Sequence, residues 1–378
     1  MSLITITPTD IPLGGNCAWE VSASEKEILL CVLSVDVDLH SQSVRVLLSN
    51  PPAGEWENIF EETRRLPDGE IDGSIPVVEM PVQIPSAPNQ SIARIVSSAG
   101  AEFLHRSDGA AFALQSESSS HFESDLLVHQ SVTVDGIEFG LFGNGSLTLG
   151  RRSKDSPSEG WESLDLPTPT GVISQLALWN GKLVLSVDDP VLGFGLHTAQ
   201  PDGAGSLEWK SILARGADRY AGNAEVFCLL PSGPTLFVAC GRSGAKHAWL
   251  NGGFEILQFN EDGTWDVLVG APRVSSSGLK VPLSARGPGF DEFNPGTLCY
   301  FCRDGFRFYL ATFEPVDGLK TWTSEDGLEW TVDASGELIG CEGVRRARVL
   351  GLGERVAVIL EIDHAVRGRS LHGWISAE

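Results

Sequence analysis

The chain has 378 residues, of which 50 are acidic and 27 basic, for a formal charge of −23. Such a field repels phosphate backbones and anionic headgroups, so nucleic acid and membrane surfaces are not expected partners. The length suits one large all-β unit, and no apolar run approaches the ~18 residues that span a bilayer.

In chain order, the N-terminal MSLITITPTDIPLGGN lacks both a basic region and a long apolar region, which points to a soluble cytoplasmic protein. Beyond it, short apolar segments alternate with Asp-Gly, Asn-Gly and Ser-Gly turns, the pattern of strands and hairpins. CAWEVSASEK-EILLCVLSVD, continuing to VRVLLSNPPAGEWENI, makes a first unit of strand, turn, strand, loop, strand and turn, with a Trp opening the fourth strand. The plan returns most clearly as ISQLALWN-GK-LVLSVDDP-VLGFGLHTAQPDGAGS-LEWKSIL over residues 173–213. It returns again in AEVFCLLPSG-PTLFVACGR with FEILQFNEDGTWDVLV, and in TLCYFCRDG-FRFYLATFEP with LKTWTSEDGLEWTVD. Trp56, Trp161, Trp209, Trp265 and Trp330 hold the fourth-strand position.

Four-stranded units recurring every ~45 to 65 residues predict a β-propeller, whose blades bury their faces by stacking on one another. Six units fall near 14–62, 130–166, 172–214, 222–270, 294–334 and 344–378. The remainder, 63–129, holds IARIVSSAG, AEFLHRSDG, AAFALQSES and SDLLVHQS, enough strands for another. Seven blades are therefore expected, with six as the alternative. The last unit stops after its third strand, where Trp374 aligns with Trp322, so the N-terminal strand at 3–8 is expected to complete it. Closure of this kind argues for a single domain over residues 1–378.

Seven cysteines, an odd number lying mostly in apolar strands, read as reduced and buried. The one C-x-x-C, Cys299 to Cys302, falls within a predicted strand and has no second pair to make a metal or redox motif.

TWTSEDGLEW, residues 321–330, contains Ser-x-Asp-Gly-x-x-Trp from Ser324 to Trp330. It resembles the Asp-box (BNR repeat) of sialidase-like propellers, in which this turn joins the third and fourth strands of a blade, away from the active site. Ser and Asp side chains can bond the turn's amides, Gly supplies a positive φ and Trp wedges between blades. Asn260 to Trp265, NEDGTW, is a degraded second copy. The resemblance also implies an arginine triad and a Tyr/Glu pair for sialidase chemistry. Neither is legible: the first unit has only Arg45, and Tyr220, Tyr300 and Tyr309 are the only tyrosines.

On the opposite side, loops after second strands carry Asp36, Glu117, Asp188 and Asp363, each three positions beyond a leucine of its strand (LSVD, LQSE, LSVD and LEID). The same loops carry His40, His121, His247 and His364. Carboxylates crowded at a cleft raise one another's pKa, and a neighbouring imidazole serves as acid, base or ligand. A divalent metal accepts this donor set, yet no spacing such as HExxH specifies one. The bland reading is that Asp and Glu tie down their own turns and exposed His is solvated.

Two readings follow. One is an enzyme doing non-redox acid/base chemistry in an axial pocket, as a lyase, hydrolase, isomerase or cyclase acting on a glycan or small metabolite. The other is a non-catalytic scaffold offering an acidic rim to a ligand or protein; sialidase-type glycoside hydrolysis ranks below both. Oligomeric state leaves no mark in the sequence.

Overall fold

The computed structural model describes residues 3–5, 12–13, 17–24, 26–36, 39–50, 55–65, 77–79, 91–97, 100–106, 112–116, 128–142, 147–153, 161–167, 171–202, 206–242, 253–290, 298–304, 307–314, 318–335, 344–353, 355–364 and 368–376. The chain is all-β, built of four-stranded β-propeller blades. It divides into two compact units, one spanning His129–Glu342 and the other Leu3–Val128 with Gly343–Glu378.

Six sheets are four-stranded antiparallel meanders, against the seven blades expected. In the second unit, Cys17–Ala23, Ile28–Asp36, Ser41–Ser49 and Trp56–Arg65 pair in that order. Val77–Glu79, Ser91–Ser97, Gly100–Arg106 and Phe112–Ser116 form the next blade. This corrects one assignment: Val77–Glu79 opens that sheet, and SDLLVHQS contributes instead to the blade that follows, whose first strand starts at Val128.

The other four blades are Val128–Ser163, Val172–Leu213, Glu225–Val269 and Leu298–Ser335, measured from first to last strand. The five tryptophans open the fourth strands or stand one residue before them, at Trp56–Arg65, Glu162–Ser163, Lys210–Leu213, Trp265–Val269 and Thr331–Ser335. Of the two further sheets among the described residues, one is a two-stranded hairpin and the other is composite. Val344–Leu352, Arg355–His364 and Gly368–Ser376 pair in sequence, and Leu3–Thr5 lies antiparallel on the last, with Leu3 opposite Ser376 and Thr5 opposite Trp374. Pro12–Leu13 pairs with the same strand at Ser370 and Arg369. Residues 6–8 of the expected closing strand lie outside the described residues.

Apolar faces are buried between successive sheets within each unit. Val184 and Leu196 pack with Val226, Leu236 and Leu257 between the third-to-last and second-to-last blades of the first unit. In the other unit Leu30, Val32 and Trp19 pack against Ala357, Ile359 and Leu371. Strands such as Ile28–Asp36 and Lys182–Asp188 are therefore buried on both faces and carry continuous apolar runs rather than alternation.

The turn from Ser324 to Trp330 is held by its own side chains. Gly327 N–H donates to Ser324 Oγ at 2.8 Å, and Asp326 Oδ1 accepts from Leu328 N–H at 2.8 Å and Glu329 N–H at 3.0 Å. Gly327 takes φ 76°, which a glycine adopts without a Cβ clash. Trp330 Nε1 donates to Gly327 O at 2.8 Å, and its buried ring packs on Phe308 and Phe290. At Asn260–Trp265 the pattern is similar: Thr264 N–H donates to Asp262 Oδ1 at 2.8 Å, and Gly263 takes φ 82°. Both turns join third to fourth strands.

Cys299 is buried whereas Cys302, three positions along the same strand, is half-buried. Side chains three apart on a strand point to opposite faces, so the two do not form a facing pair.

Candidate functional site

Five of the eight expected site residues can be compared with the structure only by backbone or not at all. Glu117, His121 and His247 lie outside the described residues, and Asp363 and His364 are placed only as the end of strand Arg355–His364, in register with Arg369 and Gly368. The strand before Glu117, Phe112–Ser116, is the fourth of its sheet rather than the second. Asp36 is exposed at the end of its second strand, where Oδ1 accepts from Leu39 N–H at 2.9 Å, locking its own turn. His40 follows in that turn at φ 48°. Among the described residues no three His, Cys, Asp or Glu side chains gather closely enough to hold a metal.

Asp188 is different. It ends the second strand of the Val172–Leu213 blade and is half-buried. Ser174 Oγ donates to its Oδ1 at 2.9 Å, and Val226 N–H, from the first strand of the following blade, donates to the same oxygen at 3.0 Å. Burial pushes the carboxyl up to about 7; the Ser174 and Val226 hydrogen bonds pull it down, and Glu225 raises it further. Desolvation outweighs the two hydrogen bonds here, both of which serve one oxygen.

The connections around Asp188 build a second, unforeseen cluster. Glu255, fully buried at the start of its strand, accepts at Oε2 from Asn223 Nδ2 at 2.6 Å and Arg273 Nη1 at 2.7 Å. Its Oε1 accepts from Ala271 N–H at 2.8 Å and stands 3.1 Å from Arg219 Nη1. Arg273 Nε and Nη2 and Asn223 Oδ1 are buried hydrogen-bonding positions that these contacts leave open. The charges share one neighbourhood: after burial, Glu255 and Asp188 push the Cys240 thiol up while Arg273 and Arg219 pull it down.

Arg219 and Asn223 sit on a connection of unusual backbone. Arg215, Gly216, Ala217 and Asp218 are all left-handed, with φ from 56° to 63°, and Tyr220 follows at φ 51°. For residues with a Cβ this costs roughly 1–2 kcal/mol each, so the tertiary contacts must supply the difference. They include Gly216 N–H to Phe194 O at 2.9 Å and Asn223 Nδ2 to Gly216 O at 3.1 Å. A Cβ on Gly216 would stand 2.4 Å from Asn223 O, and one on Gly193 2.5 Å from Tyr220 O, so the two loops meet backbone to backbone. Asp189 Oδ1 fastens the neighbouring loop by accepting from Val191 and Leu192 N–H, both at 2.8 Å.

Periodicity did not single out Glu255, Arg273, Arg219 or Asn223. A legible signal existed in FEILQF, where a carboxylate interrupts an otherwise apolar strand. Its partners are 18 and 32 residues away in the chain, and no spacing rule connects them.

Chemically, Asp188 is a carboxyl able to exchange its proton near neutral pH, fixed in orientation by Ser174 and Val226, whereas Arg219 and Arg273 are gathered by Glu255.

The chain is thus a β-propeller-blade protein. No family model and no curated protein sequence matches it. Among solved structures it is similar to polysaccharide lyase Uly1, at 10% identity over 94% of this chain and 89% of that one, with a TM-score of 0.49. It is also similar to the β-propeller domain of the Trilobed protease from Pyrococcus furiosus, at 12% identity, 94% and 92% coverage and a TM-score of 0.43. Against the Pyrococcus horikoshii acylaminoacyl peptidase the values are 9% identity, 93% of this chain and a TM-score of 0.45, and the chain spans 50% of that protein's length. None of these likenesses extends to chemistry.

Proposed function

We propose that this protein is an enzyme performing non-redox acid/base chemistry, as a lyase, hydrolase, isomerase or cyclase, on a glycan or small metabolite. The observation that carries the reading is Asp188, a half-buried carboxyl at a strand end whose pKa is raised to about 7, near the value at which a general acid or base works best in neutral solution. Asp188 is the proton-transfer residue. Asp36, Glu117, Asp363, His40, His121, His247 and His364 are proposed as further members of the site from their positions in the sequence alone. The test compares wild type with Asp188→Asn on a panel of neutral and uronate-containing polysaccharides. Ultraviolet absorbance of unsaturated ends reports a lyase, and release of reducing ends reports a hydrolase. We expect turnover that falls about 10²–10⁴-fold in the variant while circular dichroism is unchanged. Equal turnover in both proteins removes Asp188 from the chemistry.

Three structural readings accompany this proposal. The Ser324–Trp330 turn is of the Asp-box class, the N-terminal strand closes the propeller, and residues 1–378 act as one domain. A reducing, cytoplasmic setting is proposed from the buried thiols of Cys17, Cys31, Cys240 and Cys299, which lie in strand cores. The second reading, a binding scaffold, is favoured by one specific feature, the apolar hairpin that follows.

A further inference from the structure

Arg273–Ser275 and Gly278–Lys280 form a two-stranded hairpin that pairs with no other strand among the described residues. It is inserted between the Glu225–Val269 and Leu298–Ser335 blades. Its inward face is polar. Arg273 reaches Glu255 at 2.7 Å, Ser275 is buried, and Lys280 Nζ bonds Trp265 O and stands 3.3 Å from Asp266. Alternation along a strand then sends the intervening residues outward. Those residues are apolar: the cross-strand pair Val274 and Leu279 is 78% and 70% exposed. Val281 and Leu283, just beyond, are 56% and 52% exposed.

The usual arrangement of a sheet is thereby inverted, with cations held inside and aliphatic side chains in water. Binding Glu255 explains why Arg273 points in. It does not explain aliphatics at four outward positions, where Ser, Thr or Lys would satisfy the same backbone. Exposed aliphatic groups beside an unpaired strand edge are a template for a further strand.

We infer that this hairpin is a docking surface for a short, extended peptide segment with alternating apolar and basic residues, added as a strand. Area and charge select that occupant. Four such side chains offer roughly 400 Å², about half of the ~800 Å² that each partner gives to a stable protein–protein interface. A second copy would also bring another −23 against the first. A single strand needs no more area, because main-chain hydrogen bonds to the hairpin edge supply part of the affinity. Basic residues in the peptide's alternate positions are drawn by the chain's net acidity.

The test uses the full chain and a fluorescein-labelled peptide of about seven residues alternating valine and lysine. Anisotropy should show saturable binding, weakened at least about tenfold by Val274→Ser with Leu279→Ser. The substitutions lie on exposed positions, so melting should move little. Methylating alternate peptide amides should abolish binding, and replacing lysine by glutamate should weaken it by a similar factor. Absence of saturable binding, or equal affinity for the double variant, overturns the proposal. So does sedimentation showing a wild-type dimer that the double variant loses, which would put a second copy on the patch. Adsorption to neutral phosphatidylcholine vesicles, lost in the double variant, would assign the patch to lipid and overturn it likewise. The readouts are independent of turnover, so failure here and failure of the Asp188 reading are distinguishable.

Discussion

At Asp188, burial and titration set an observable pH dependence. Its carboxyl is raised from 3.8 to about 7 on folding, so between those values the folded chain holds a proton that the unfolded chain has released. Its contribution to stability is fully present below about pH 4 and is lost as pH rises through 7. At about 1.4 kcal/mol per unit, the swing is on the order of 2–4 kcal/mol. Asp188→Asn keeps an oxygen for Ser174 and Val226 without the charge. Urea unfolding should therefore show the variant gaining on wild type from pH 5 to pH 8, and parallel profiles would contradict the burial argument. Asp326 has the opposite sign. The amides of Glu329 and Leu328, and then Ser324, hold its carboxyl below the usual range, so its contribution exists above the unfolded pKa and fades as pH falls through the depressed value. Asp326→Ala should cost roughly 1–2 kcal/mol at pH 7 in thermal or urea melts, the scale of a lost cap, with any turnover intact at permissive temperature.

At the scale of an element, the left-handed connection from Arg215 to Tyr220 is held by contacts from outside itself. Glu255 gathers Arg219, Arg273, Asn223 and the Ala271 amide, so it joins this connection, the hairpin base and the strand it opens. Glu255→Gln leaves two arginines facing a neutral amide, and removing one partner of a buried pair typically costs about 3–5 kcal/mol. Hydrogen exchange should locate the loss in 189–194, 214–224 and 270–286. A uniform loss over the whole chain would mean that Glu255 supports the sheets rather than this connection.

Over the whole molecule, blade stacking makes every sheet depend on its neighbours within its unit, and the composite C-terminal sheet depends on a strand from the other end of the chain. Leu3–Thr5 covers the edge of Gly368–Ser376 along three residue pairs. Deleting residues 2–8 should leave that edge bare, lower the melting temperature and promote aggregation, as followed by calorimetry and light scattering. A truncated chain that melts like the full one would show that the strand contributes nothing to closure.

Short apolar segments, the Gly-containing turns and the recurrent Trp made the blade plan legible, because each arises from contacts within about fifty residues: a hairpin, its turn and the packing of its Trp. The Ser324–Trp330 turn was legible for the same reason, its hydrogen bonds spanning at most three residues. Asp188 could be nominated as the last residue of a second strand, yet its raised pKa depends on Val226, 38 residues on, and on the depth of burial. Other features were decided only by tertiary structure. Val77–Glu79, three residues long, shows no alternation to announce it, and it displaced SDLLVHQS from the sheet by pairing with Ser91–Ser97. Glu255 and its arginines are ordinary charges until folding buries them together. Val274 and Leu279 face outward because Arg273, on the adjacent position, is drawn inward by a carboxylate from another strand. Local pattern is written in neighbouring residues, whereas burial and the sign of a face belong to pairs that meet only after the chain has folded.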